Sequence, residues 1–123
     1  MKFHITQHCQ TRYSERCLNG LNTVNILKAV LTDIYSAKNI TSEISNKNPR
    51  FILFLYEKYK KSGTLVFKKD KLYFIGIKRK GVEIIDILTC YYGDDKFKMF
   101  ENTTMSRDEI FFKIKSIKYK LKH

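Results

Sequence analysis

A chain of 123 residues is long enough for one core and too short for two comfortable ones, so residues 1–123 are expected to form a single domain. An apolar fraction of 43%, with nine Phe and eight Tyr, excludes a largely disordered chain. Lys and Arg outnumber Asp and Glu by 24 to 12, and the resulting charge of +12 favours a polyanionic partner: RNA, DNA or an acidic protein.

Taken in chain order, residues 2–7 read as a strand and residues 8–18 as a helix. A period of two puts His4 and Thr6 on one side of the strand, and a spacing of four stacks His8, Arg12 and Arg16 along one helical ridge. Cys9, Tyr13 and Cys17 recur at the same spacing and form the buried stripe of that helix. With Cys90 they make an odd set without framework spacing, which points to reduced thiols in a cytoplasmic compartment. Asn19-Gly20 supplies a left-handed stop, and Asn22 caps a second helix running to about residue 37. Residues 38–49 are polar and read as a surface loop ending at the only proline, Pro49.

From residue 50 onward the pattern predicts short strands over 51–56, 64–68, 72–78 and 82–92, separated by turn signals at Ser62-Gly63, Lys69-Asp70-Lys71 and Arg79-Lys80-Gly81. Connections that short force antiparallel neighbours. A loop over 93–105 leads to a C-terminal helix opened by the capping box Ser106-Arg107-Asp108-Glu109, with Ile110, Ile114, Ile117 and Leu121 as its apolar stripe. The fold class expected is α+β: N-terminal helices packed on one face of an antiparallel meander of four or five strands, closed by a C-terminal helix. No leader-like apolar segment opens the chain, and its longest apolar run, residues 51–56, is too short to cross a bilayer, so no membrane partner is expected.

The charge is unevenly spread. Residues 57–81 hold nine basic and two acidic side chains, +7 of the total of +12. Lys68, Lys69, Lys71, Lys78, Arg79 and Lys80 in that stretch are the candidate nucleic-acid contacts. Tyr91 and Tyr92 on the next strand are candidate base-stacking residues, or else core and edge filler.

Glycine-rich phosphate loops, C-x-x-C pairs and hydrolase signatures are absent, and His4, His8 and Cys9 fit no common zinc module, so neither a cofactor nor a metal is expected. What remains is the chemistry of RNA transesterification, which needs a base for the 2′-OH, an acid for the 5′-oxygen and cations on the phosphorane. His8 is the candidate base or acid, His4 its candidate partner, and Arg12 and then Arg16 the candidate phosphate ligands. The plainer alternative makes the histidines edge residues and the arginines a solvated face.

The segment FHITQHCQTRYSERCLN, followed by an amphipathic helix and a β-meander, resembles the N-terminal signature of the RegB-like phage endoribonucleases, which are grouped with the RelE-like toxins. The likeness covers about thirty residues and the order of elements. It implies that His8 is the catalytic histidine of an H-x-x-x-R pattern, that Arg12 is its basic partner, and that messenger RNA is cut without metal to leave a cyclic phosphate. These nucleases carry a second functional histidine, whereas here none lies between His8 and His123. Either His4 or a basic residue takes that role, or the scaffold is kept as a non-catalytic binding protein, for nucleic acid or as an inhibitor of a host protein. A toxin-type chain would also have an acidic antitoxin as partner.

Overall fold

The computed structural model describes residues 2–18 and 25–122. Thr6 starts the first helix. Its hydroxyl accepts the Cys9 N–H at 3.1 Å, ending strand β1 (Lys2–Ile5) and opening α1 (Gln7–Cys17). Asn25 caps α2 (Ile26–Ser36) in the same way, whereas the expected stop at Asn19-Gly20 and cap at Asn22 lie outside the described residues. The stretch expected to be a bare loop contains the two-residue strand β2 (Lys38–Asn39) and the short helix α3 (Thr41–Lys47).

One expected strand is a helix. Residues 51–56 lie inside α4 (Pro49–Tyr59), where Asn48 accepts the Phe51 N–H and Pro49 occupies the first turn. Proline is well suited there because it has no N–H to leave unpaired. Phe51, Ile52, Leu53, Leu55 and Tyr56 are all buried, so the helix is apolar nearly all round and its period is hidden. The three later strands stand where expected: β3 (Thr64–Lys69), β4 (Leu72–Lys78) and β5 (Ile84–Tyr92) form an antiparallel meander. A further short helix, α5 (Asp95–Glu101), occupies the second expected loop, and α6 (Arg107–Lys122) closes the chain behind its Ser106 cap.

The fold is α+β, with a five-stranded sheet in the order β1-β5-β4-β3-β2. It is mixed, since β1 lies parallel to β5 with Lys2 opposite Ile84. Alternation along β4 sends Phe74 to one face and Tyr73 and Ile75 to the other, and each face carries its own core. On the first, Cys9 and Tyr13 of α1 and Val30 and Ile34 of α2 pack against Phe74, Ile87 and Cys90. On the second, Phe51 and Leu55 of α4 and Ile110 and Ile114 of α6 cover Ile75 and Tyr91. The N-terminal helices α1 and α2 thus lie on one face, as expected, and α4 and α6 cover the other, which is why no strand of the meander shows a cleanly polar side. The three cysteines are free thiols, and no helix among the described residues is long and apolar enough to cross a membrane.

Candidate functional site

Three chain segments meet at one end of the meander. Helix α4 stops at Lys60, which takes a left-handed conformation (φ 52°) and returns its N–H to the Tyr56 carbonyl. Gly63 then passes so close to the end of β4 that a Cβ there would sit 3.3 Å from the Lys78 carbonyl oxygen, and its own carbonyl accepts the Lys78 N–H at 3.1 Å. This contact sets Lys60 and Lys61 beside Lys78, Arg79 and Lys80. From the other side, the Thr6 hydroxyl bonds to the Ile87 and Leu88 carbonyls, fixing the first turn of α1 on β5 so that His8 faces the same space.

The result is a cavity of about 740 Å³ lined by Thr6, His8, Tyr59, Lys60, Lys61, Ser62, Ile77, Lys78, Arg79, Lys80, Asp86, Leu88 and Leu121. Five of these side chains are cationic and one, Asp86, is acidic. The Asp86 carboxylate is already occupied: Arg79 grips it through Nε at 2.8 Å and Nη2 at 2.7 Å, and His4 Nδ1 lies 2.8 Å away. Arg79, and after it His4, holds this carboxyl below the usual carboxylate range. Lys78 reaches Glu83 only at 4.0 Å, and Lys60, Lys61 and Lys80 have no carboxylate partner among the described residues. The His8 imidazole is exposed and likewise has no hydrogen-bond or ion-pair partner among them. Tyr59 contributes a ring; its hydroxyl is pushed up to about 12, first by burial and then by the neighbouring Tyr91.

Not every residue singled out in the sequence reaches this cavity. His4 joins it only through Asp86. Arg12 pairs along its own helix with Glu15 at 2.9 Å, and Arg16 donates to the Cys90 carbonyl and lies over the Tyr91 ring at 5.1 Å, so the ridge runs on past the cavity. Lys68, Lys69 and Lys71 are at the opposite end of the β3–β4 hairpin. There Lys68 lies over Tyr73, and Lys69 is bound to Asp33 at 2.7 Å. Tyr91 is buried between α4 and the sheet, and Tyr92, 61% exposed, sits at the Lys71 end, where Gly93 N–H bonds the Lys71 carbonyl.

The residues that sequence reasoning missed are Tyr59, Lys60 and Lys61. The signal was Asn48-Pro49, a helix cap followed by a first-turn proline, which would have carried the helix through Tyr59 and placed Lys60 at its end. Among the described residues no three His, Cys, Asp or Glu side chains cluster as metal ligands. Comparison with family models, curated proteins and solved structures gives no match to the chain, so the reading of this site stands on its geometry.

Proposed function

We propose that the cavity binds a single RNA strand by its phosphates and cleaves it, with His8 taking the 2′-OH proton. The observation that carries this reading is the His8 imidazole, without a partner among the described residues, facing Lys60, Lys61, Lys78, Arg79 and Lys80 in a cavity whose one carboxylate among those residues is already held. An imidazole exchanges its proton near neutral pH, and fixed cations stabilise charge as it develops on the phosphorane. In the reaction the 2′-oxygen bonds to phosphorus and its proton passes to His8. The bond to the 5′-oxygen breaks, and that oxygen takes a proton from a flanking lysine ammonium. The products are a 2′,3′-cyclic phosphate and a 5′-hydroxyl end. The likeness of the N-terminal segment to the RegB-like nucleases points to the same histidine. Arg12, tied to Glu15, is replaced in the phosphate role by the strand-end cations.

The test is incubation of the protein with end-labelled messenger RNA in EDTA. Cleavage by the parent is expected, with His8→Ala slowing it by about 10²-fold or more while RNA retention is unchanged. Cleavage indifferent to His8→Ala would overturn the assignment. One observation favours a second reading, binding without cleavage: His4 and Arg12 are both engaged by carboxylates, leaving His8 without a second free imidazole among the described residues. In that case the parent retains RNA, cuts none, and loses affinity steeply with salt.

A further inference from the structure

Tyr59, which lines the cavity, also belongs to a second group of side chains. Lys58 Nζ lies 5.3 Å from the centre of its ring and 5.6 Å from that of Phe54. Lys96 Nζ lies 5.1 Å from Phe54 and 5.5 Å from Tyr91, and Arg16 covers Tyr91 at 5.1 Å. Three cations thus stand over three adjoining rings, and none of the three is paired with a carboxylate among the described residues. A carboxylate would have neutralised these charges, whereas an aromatic face orients a cation and leaves its charge available. The crowding is felt: burial, and then Lys96, Arg16 and Arg12, push the Lys58 ammonium below its ordinary value. An anion seated among them would relieve that repulsion.

We infer that Arg16, Lys58 and Lys96 form a second phosphate subsite, reached across Tyr59 from the His8 cavity, that holds the backbone of the same RNA strand several nucleotides from the point of cleavage. The inference rests on the cavity reading above and extends it. The ridge of α1 explains the continuity: His8 faces the cavity at one end and Arg16 faces the cluster two helical turns on. An RNA backbone fits better than an acidic peptide because the cations lie in series with the cavity, and phosphates recur along a strand in the same manner.

The experiment measures fluorescence anisotropy of labelled 2′-O-methyl oligouridylates, which carry no 2′-OH to attack the phosphate, of about four and about twelve nucleotides, both within the range of single-strand site sizes. Each is titrated at several salt concentrations against the parent, K58Q/K96Q, K58R/K96R and K78Q/K80Q. For the longer strand, K58Q/K96Q is expected to lower the salt slope by about 1.4, two contacts at about 0.7 each. It should leave the shorter strand unaffected, and K58R/K96R, which keeps the charge, should behave as the parent. K78Q/K80Q should weaken both lengths. The inference is overturned if K58Q/K96Q leaves the longer strand unchanged, if it weakens both lengths alike, or if K58R/K96R loses as much as K58Q/K96Q. It is also overturned if an oligoglutamate displaces the longer strand from the parent as well as unlabelled RNA does. If K78Q/K80Q affects neither length, the cavity reading fails, and with it the continuous path.

Discussion

Lys60 occupies a backbone conformation that glycine adopts freely, at a helix end where glycine is the common choice. A side chain there costs on the order of 1 kcal/mol, and the strain lies on the rim of the cationic cavity, where the proposed RNA site would give a lysine a use. Lys60→Gly is therefore expected to raise stability by up to about 1 kcal/mol in urea titrations while weakening RNA binding, since it removes a cation. Asp86 gives a second prediction. Its carboxyl titrates below its unfolded value because Arg79 and His4 favour the ion. The stabilisation it supplies is present above the unfolded value of about 3.9 and disappears as pH falls through the lower native value. Asp86→Asn should lower stability near neutral pH and flatten the loss of stability on acidification, read as urea midpoints across the acid range.

At the scale of elements, the sheet is shaped around Gly76 and the irregularity in the β4–β5 pairing, where Ile75 faces Thr89 but Gly76 faces Ile87, leaving Leu88 as an extra residue. A Cβ on Gly76 would meet Ile85 Cγ2 at 2.9 Å and Ile87 Cδ1 at 3.0 Å. Gly76→Ala is expected to cost about 1–3 kcal/mol by overpacking, measured by chemical denaturation. The displaced Leu88 is one wall of the cavity, so the same variant should also disturb RNA binding. Elements of this kind differ in how plainly the sequence announces them. The meander was legible because turn residues punctuate strands of ordinary length, and α6 because Ser106 and a four-residue stripe mark it. Helix α4 was not, since contacts with α3, α5 and α6 bury most of its circumference and leave only a narrow polar strip of Arg50, Glu57 and Lys58. The candidate site divides in the same way. His8 and Lys78 to Lys80 stand out locally, but losing α4 hid Lys60 and Lys61. The partners that draw Arg16 away, the Cys90 carbonyl and the Tyr91 ring, are distant in sequence and close only in space.

Across the whole molecule, the basic stretch of residues 57–81 divides between the two ends of one hairpin. At the Lys71 end, Asp33 absorbs Lys69 and Tyr73 lies under Lys68; at the Lys78 end the ammonium groups are mostly unopposed. The field of a +12 chain is thereby concentrated where His8 is. Lys80→Gln should accordingly reduce RNA affinity at low salt several-fold more than Lys71→Gln, although each removes one charge; equal losses would mean that net charge alone governs binding. The borders of the sheet carry a different consequence. One is the two-residue strand Lys38–Asn39, and the other is the four-residue β1, beyond which α1 lies along β5 with Arg16 donating to the Cys90 carbonyl. A neighbouring copy finds little backbone there on which to add a strand. Crowded protein is thus steered away from fibrillar stacking, and any self-association must be built from side chains on the helices.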